Sequence, residues 1–274
     1  NSIKRMSNIK GKKHTEENKK PLILVTNDDG VDAQGLRALA DVARNFGRVI
    51  VVAPGSAQSG KSHAITFSSP LRLRQIHAEK DFEIYKATNT PVDAVKLAQC
   101  ILLKDQKIDL IIAGINHGSN SSSSVFYSGT MATVIEGCIN NIPSIGFSLI
   151  DYTNDSNFNA SREIAHKVIQ TALKNKLPGN ICLNVNIPNV PLKDIKGFRI
   201  TRQSLNHWHE EFEERIDPIG KPYYWLSGFL VDNDKGEDSD EWALKNNYVS
   251  IQPIQPDLTA YHYINTLKTW NFSL

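Results

Sequence analysis

The sequence predicts an α/β protein built on a Rossmann-like, mostly parallel sheet that is flanked by helices. Residues 22–26, 48–53 and 108–113 are short, largely apolar runs, and each stops at a polar loop. Strands buried on both faces have this composition and are typical of parallel sheets. Between the first two runs, residues 34–46 place apolar side chains at helical spacing. This completes a βαβ unit, whose crossover we expect to be right-handed.

The same pattern continues along the chain. Helical spacing returns at residues 131–137 and 160–173, and residues 181–188 and 197–202 predict two further strands. Beyond them, the turn residues 217–220 separate two extended stretches rich in aromatic and charged side chains, which predicts a β-hairpin. Because an exposed aromatic hairpin needs a covering surface, we expect an extended C-terminal arm that joins subunits.

The length of the chain favours one large domain with an appendage. It has 274 residues, of which 40% are hydrophobic, enough to bury a substantial core. Residues 1–20 are Lys-rich and show no periodicity, so they predict a disordered N-terminal arm. We expect residues 21–274 to form a single domain, with a core at 21–200 and the hairpin arm and closing segment at 201–274.

Charge and cysteine content argue against several classes of protein. The 31 basic and 29 acidic residues give a net charge of +2, too balanced for bulk electrostatic binding of a nucleic-acid polymer or a membrane surface. No apolar run approaches the length needed to span a bilayer. The three cysteines are widely spaced and odd in number, which favours reduced thiols over a disulfide framework or a zinc site. We therefore expect a cytoplasmic protein.

Two adjacent carboxylates, Asp28 and Asp29, follow the first predicted strand directly. Ligand sites of open parallel sheets lie beyond the carboxyl ends of the strands, where these side chains fall. Neighbouring carboxylates repel each other unless a cation neutralises them, and hard divalent cations prefer oxygen ligands. The segment therefore points to metal binding, although Asn27-Asp28-Asp29-Gly30 also suits an ordinary turn.

The loop after the second strand leaves three interpretations open. Gly55-x4-Gly60-Lys61-Ser62 satisfies the spacing of a P-loop, which would make the chain a nucleoside triphosphatase that uses Lys61. A P-loop lysine should open a helix, however, and residues 64–73 predict extended structure instead. A small-residue loop of this kind can also be a plain linker or belong to a different ligand site.

Further polar segments fall on the same side of the predicted sheet. Residues 114–120 follow the third apolar run, and Asn116 and Asn120 can offer amide oxygens to a hard cation. His117 could ligate a metal, transfer a proton or bind phosphate, although a single histidine is more often structural. Helices predicted to begin near Thr90 and after Tyr127 would present free amides to an anion such as phosphate.

Together these segments resemble the survival protein E (SurE) family of phosphatases. The motifs that carry the resemblance occur in order: Asn27-Asp-Asp-Gly30, Ser59-Gly-x-Ser62, Asn89-Thr-Pro-x-Asp93, Gly-Ile-Asn-x-Gly-x-Asn ending at Asn120, and Tyr127-Ser-Gly-Thr130 followed by Glu136-Gly137. The match covers residues 22 to about 150, with weaker similarity as far as Thr259. Several spaced motifs in order are far more specific than any one of them.

The resemblance implies a metal-dependent phosphomonoesterase that hydrolyses nucleoside 5′-monophosphates, and possible further substrates are 3′-monophosphates and short polyphosphate. It implies one divalent ion per subunit, Mg²⁺ or Mn²⁺, which activates the attacking water. Carried over by position, the metal ligands are Asp28, Asp29, Ser59 and Asn116. The phosphate contacts fall on Asn89, Thr90, Asn120, Ser128, Gly129 and Thr130, and the catalytic residues are Asp29 and Asn120. The family also implies a homodimer or homotetramer joined by an exchanged C-terminal arm.

Two positions depart from the family pattern. Ser121-Ser-Ser-Ser124 stands where the family often has an Asn or an acidic residue, which affects the rigidity of that loop. Asn89 stands where the family commonly has Gly, before Thr90-Pro91. A non-catalytic nucleotide-binding module remains an alternative hypothesis beside the P-loop triphosphatase.

Overall fold

A computed structural model describes residues 20–272 of the chain except for 152, 154 and 155. The predicted N-terminal arm falls on residues 1–19, outside the described residues, and on Lys20. The strands are β1 (Leu22–Thr26), β2 (Arg48–Pro54), β3 (Leu73–Glu79), β4 (Phe82–Ala87), β5 (Leu110–His117), β6 (Ser144–Ile150), β7 (Cys182–Pro188), β8 (Phe198–Ile200), β9 (His207–Ile216), β10 (Pro222–Val231) and β11 (Val249–Ile254). The α-helices are α1 (Gln34–Ala43), α2 (Pro91–Leu97), α3 (Gly129–Ile139), α4 (Asn159–Asn175), α5 (Asp240–Lys245) and α6 (Tyr261–Leu267).

Nine strands form one sheet, in the order β3-β4-β2-β1-β5-β6-β7-β11-β8. The run from β4 to β7 is parallel throughout, and antiparallel pairs occur where β3 joins β4 and β11 joins β7. The predicted α/β class with a mostly parallel sheet is therefore confirmed. The strands β3, β4 and β6 were not predicted. Of these, β3 is an edge strand with mainly polar, exposed residues, so it lacks the apolar run that marks a buried strand.

Helices cover both faces of the sheet, which explains the uninterrupted apolar runs. On β1, Ile23 and Val25 pack in the cluster formed with α1 and α4, whereas Leu24 packs in the cluster formed with α2. Successive strand residues point to opposite faces, so a strand covered on both sides must be apolar at every position. The consequence is that β1, β2 and β5 are fixed in the interior, with their carboxyl ends at one edge.

The predicted hairpin is confirmed as the antiparallel pair β9 and β10, joined by a turn at residues 217–221. Unlike the sheet, it exposes apolar side chains along its length, such as Phe212 (66% exposed) and Leu226 (63%). The closing helix α6 is similar, since Tyr261 and the following Trp270 are exposed. Within the described part of the chain, no helix is long and apolar enough to cross a membrane.

Candidate active site

Asp28 lies at the carboxyl end of β1 and is almost fully buried, with 3% of its surface exposed. Its Oδ1 accepts a 2.5 Å hydrogen bond from the hydroxyl of Thr130, at the start of α3. The backbone of Gly129 and Thr130 also hydrogen-bonds to this carboxylate. Burial nevertheless raises the pKa of Asp28 above its usual range. The first predicted ligand therefore sits against the positive end of a helix.

Asp29 is the neighbouring carboxylate, and one of its oxygens lacks a partner. Its Oδ2 is buried and accepts no hydrogen bond within the described structure. Burial raises the pKa of Asp29 to about 7, and the negative charge of Asp28 contributes to this rise. A hydrogen bond from the backbone of His117 lowers the pKa but does not offset the two other effects. An unpartnered buried carboxylate oxygen is costly, and a cation would remove that cost.

The loop after β2 is held against the end of β1. The backbone N–H of Gln58, the residue before Ser59, donates to the Asp28 carbonyl at 2.7 Å. Farther along, the hydroxyl of Ser62 donates to the carbonyl of Phe126 at 2.6 Å. Ser59 itself is exposed. No helix follows Lys61, where the chain is irregular until β3, so the structure lacks the helix that a P-loop requires.

Asn116 and His117 come from the last two residues of β5, beside β1 in the sheet. The side-chain NH₂ of Asn116 donates to the carbonyls of His117 and Gly118, which leaves its Oδ1 as the atom suited to a cation. The His117 ring lies edge-on to Phe158, 5.3 Å between centroids, and its Nδ1 is 3.3 Å from the Ser156 hydroxyl. The histidine side chain is thus packed beside the site.

Asn120 is 4% exposed and held by polar residues of the neighbouring strands. Its side-chain NH₂ donates to the Ser148 hydroxyl at 2.7 Å, and its backbone N–H donates to Asn186 Oδ1 at 2.8 Å. Asn184 donates to the Asn120 carbonyl at 2.8 Å. Asn184 and Asn186 were missed in the sequence. Their signal is two polar residues spaced by two within an otherwise apolar strand, so that both point to the same face.

The first turn of α3 carries Ser128, Gly129 and Thr130. The hydroxyl of Ser128 caps the helix by accepting the N–H of Met131 at 3.0 Å. A side chain at Gly129 would collide with Asp28, whose Cβ is 2.6 Å from the position of an added Cβ. Glycine is therefore required for the close approach of the helix to the carboxylate.

Asn89 and Thr90 lie farther along the sheet edge, after β4, which β2 separates from β1. The Thr90 hydroxyl donates to the Ala64 carbonyl and accepts the N–H of Asp93, so it fixes the loop after β2 and the start of α2. Asn89 has a left-handed backbone (φ 70°), the conformation that explains Gly at this position in the family pattern. The structure thus groups Asp28, Asp29, Asn116 and the start of α3 more closely than this pair.

A second buried carboxylate, Glu136 of α3, was not assigned a role from the sequence. Its oxygens contact His63 Nε2 at 2.9 Å and Lys96 Nζ at 2.6 Å. The hydrogen bond from His63, aided by Lys96 and opposed by burial, lowers the pKa of Glu136 to about 2. Glu136 therefore joins α3, α2 and the loop that carries Ser59. The Glu136-Gly137 motif gave the signal, but its partners are remote in sequence.

The chain is thus an α/β protein with a polar crevice at the carboxyl edge of its sheet, where the buried Asp28 and the half-buried Asp29 lie near amide and hydroxyl groups and the N-terminus of α3. Comparison with known proteins specifies the family. The family model "Survival protein SurE" matches residues 23–210. The chain therefore belongs to the SurE family.

Relatives match over nearly the whole chain. A protein of Christiangramia forsetii named 5′-nucleotidase SurE is 48% identical over 257 residues, covering 93% of this chain and 98% of the relative. The protein of the same name from Flavobacterium psychrophilum is 49% identical over 255 residues, with coverages of 93% and 99%. The crystal structure of the SurE protein from Aquifex aeolicus is similar with a TM-score of 0.79 at 38% identity, covering 90% and 98% of the two chains.

Proposed function

We propose that this chain is a metal-dependent phosphomonoesterase that hydrolyses nucleoside 5′-monophosphates. The observation that carries the proposal is the unpartnered, buried Oδ2 of Asp29 next to the buried carboxylate of Asp28. The names of the relatives, 5′-nucleotidase SurE, support the substrate class. The crevice supports the chemistry, because phosphoryl transfer needs positioned positive charge and hydrogen-bond donors.

The residues present fit a hard divalent cation such as Mg²⁺ or Mn²⁺. Asp28, Asp29, Ser59 and Asn116 would hold it, and all four offer oxygen atoms. No group of three His, Cys, Asp or Glu side chains suited to a metal occurs among residues 20–272 as described, so the set relies on two carboxylates and two neutral donors. When bound, the cation supplies a Lewis acid that lowers the pKa of water and neutralises phosphoryl charge.

The protein groups divide the remaining tasks. Ser128, Gly129 and Thr130 place the first turn of α3 toward the phosphoryl group, and Asn120 borders it from the β6 side. Asp29 is the candidate acceptor of the proton from the attacking water. It is also a candidate ligand, and the two oxygens of one carboxylate can divide these roles. Asn89 and Thr90 are proposed as outer contacts of the substrate.

The test is phosphate release from a panel of nucleoside 5′- and 3′-monophosphates, triphosphates and short polyphosphate, with Mg²⁺, with Mn²⁺ and with chelator. We expect release from 5′-monophosphates that needs a divalent ion and falls about 100-fold or more in Asp28→Asn, because a removed metal ligand or transition-state contact costs several kcal/mol. The control is Asp32→Asn, an exposed carboxylate four residues away that pairs with Arg37.

Three outcomes would decide against the proposal. Phosphate release that is insensitive to chelator would contradict the metal dependence. A preference for triphosphates would favour the P-loop alternative. Binding of nucleotides without phosphate release at ordinary enzyme concentrations would favour the non-catalytic nucleotide-binding module. Calorimetric titration of Mg²⁺ or Mn²⁺ into wild type and Asp28→Asn separates a lost metal site from a lost chemical step.

We also propose that the hairpin arm joins subunits into a homodimer or homotetramer. Phe212 and Leu226 lie opposite each other in the β9–β10 register and are both more than half exposed, a combination that is unfavourable for a free arm. The double variant Phe212→Asp, Leu226→Asp should lower the mass measured by sedimentation equilibrium, whereas Glu211→Gln, on the other face of β9, should not. An unchanged mass in the double variant would contradict this proposal.

A cytoplasmic location completes the proposed function. It rests on the three cysteines, Cys100, Cys138 and Cys182, which are all free thiols in the structure. Cell fractionation with an antibody against the chain would test it, and recovery in an oxidising compartment would contradict it.

A further inference from the structure

The Ser121–Ser124 segment is anchored to a buried carboxylate that neither the motifs nor the proposed chemistry use. Asp240, the first residue of α5, has no exposed surface. Its Oδ2 accepts the backbone N–H of Ser122 at 2.8 Å, and its Oδ1 accepts the N–H groups of Ser204 at 3.0 Å and Glu241 at 2.8 Å. Three donors on one buried carboxylate make a charge-assisted anchor.

The next residue, Glu241, reaches the same loop. Its carboxylate accepts a short hydrogen bond from the Ser121 hydroxyl, whose oxygen lies 2.5 Å from that of Ser119. Asn120 lies between these two serines, and its own contacts run to Ser148, Asn184 and Asn186. The loop is thus fixed from the sheet on one side and from α5 on the other.

The anchored turn also contacts the base of the hairpin arm. The Ser122 hydroxyl donates to the Asn206 carbonyl at 2.5 Å, and Asn206 directly precedes β9. The side-chain oxygen of Asn206 accepts the N–H groups of Asn233 and Asp234, both at 2.9 Å, just after β10. Ser122 has φ 53°, a strained backbone for a serine, which requires firm support from its neighbours.

We infer that Asp240 is a positioning residue for the proposed phosphate site: it fixes the Ser122 turn and so holds Asn120 and the following start of α3 in place. The inference rests on the proposed function, because it concerns how that site is held. Asp240 touches neither the candidate ligands nor the first turn of α3, so it acts through the loop. Its loss is expected to weaken phosphate binding rather than remove a reacting group.

The experiment compares Asp240→Asn with Asp238→Asn, an exposed carboxylate of the same segment that pairs with Arg202. The asparagine keeps the size of the side chain but replaces one acceptor oxygen by a donor that faces the Ser122 N–H. We expect the inhibition constant of inorganic phosphate and KM to rise about tenfold at a temperature where the variant is fully folded, because a small misplacement of binding groups is costly. Asp238→Asn should match wild type.

Hydrogen exchange of amides 119–123 is measured in the same samples. It reports the order of the loop whether or not the chain hydrolyses nucleotides, so a failed nucleotidase assay does not decide this inference. Faster exchange in Asp240→Asn alone supports it. Wild-type exchange, or a loss of activity that only follows the unfolded fraction, overturns it.

Ser121→Ala is the second variant in case Asp240→Asn does not fold. It removes the hydroxyl that donates to Glu241 and contacts the Ser119 hydroxyl, and it leaves Asp240 in place. A smaller change in the same direction, in exchange and in the inhibition constant of phosphate, supports the inference. Wild-type values in Ser121→Ala would then overturn it.

Discussion

The crevice and the hairpin arm depart from the usual pattern of burial in opposite directions. At the crevice, polar side chains such as Asp28 and Asn120 are buried, at 3% and 4% exposure. On the arm, apolar side chains such as Phe212 are exposed, at 66%. Buried polar groups and exposed apolar surfaces are the two informative exceptions in a folded protein. The first indicates a site that binds charge, and the second indicates a surface that binds protein.

The two regions also differ in how they are held. The crevice is braced by hydrogen bonds between residues far apart in sequence, such as Thr130 to Asp28 and Asn120 to Ser148. The arm is held mainly by pairing of β9 with β10, with few contacts to the rest of the chain, among them Trp208 Nε1 to the Ser124 hydroxyl at 3.4 Å. Substitutions should therefore have local effects on the arm and wide effects near the crevice.

The largest expected effect is a loss of stability, which should be much greater for a substitution in the sheet below the crevice than for one on the arm. Ile112 of β5 is fully buried, so Ile112→Ala should lower the free energy of unfolding by about 2 to 5 kcal/mol through lost burial and a cavity. Phe212→Ala should lower the free energy of unfolding of the core by less than about 0.5 kcal/mol, because substitutions at exposed positions usually have small effects. Urea unfolding of the two variants, at a dilution where subunits are separate, measures both. Equal losses would show that the arm packs on the core.

The next effect separates site geometry from stability within one helix. Gly129→Ala should reduce phosphate release about 100-fold, because its Cβ would displace Asp28 and a misplaced ligand is costly to catalysis. Gly137→Ala is the matched control, since its Cβ would meet Ser144 and Ile111 instead. It should cost about 1 to 3 kcal/mol of stability by overpacking yet keep its turnover below its melting temperature. Equal turnover in both variants would contradict this account of the site.

A smaller effect is the pH dependence of stability that comes from the contacts of Glu136 with His63 and Lys96. The folded pKa is about 2 against an ordinary value of 4.5, so the carboxylate stabilises the fold above pH 4.5 and this contribution is lost as the pH falls from about 4.5 to about 2. Glu136→Gln should flatten that part of the stability profile measured by thermal unfolding. The exposed Glu163→Gln should leave the profile unchanged, and a flattened profile there would refute the assignment to Glu136.

The smallest expected effect is at Lys61, which the P-loop alternative makes essential. Lys61 is exposed on an irregular loop that is not followed by a helix. Because the exposed Lys61 side chain makes no hydrogen bond or ion pair in the described structure, Lys61→Ala should change phosphate release from monophosphates less than about twofold. Triphosphate hydrolysis that disappears in this variant would restore the alternative.

The sequence by itself predicted the mostly parallel sheet, the hairpin and the Asp28-Asp29 pair at the end of β1. It could do so because these features depend on local order: apolar runs, turn residues and polar residues at strand ends are read from neighbouring positions. The helix start predicted near Thr90 is confirmed for the same reason, since Thr90 caps α2. The polar, exposed strand β3 lacks such a signal and was missed.

Only the tertiary structure decided which polar residues meet. It placed Thr130 on Asp28, Glu136 on His63 and Lys96, and Asp240 on Ser122, pairs separated by up to 118 residues. It also placed Asn120 among Ser148, Asn184 and Asn186, and gave Thr90 a role in holding a loop. Such contacts depend on strand order and on the approach of α3 to the sheet, which no local pattern encodes. The sequence determines which groups are available, and the packing of distant segments determines which of them act together.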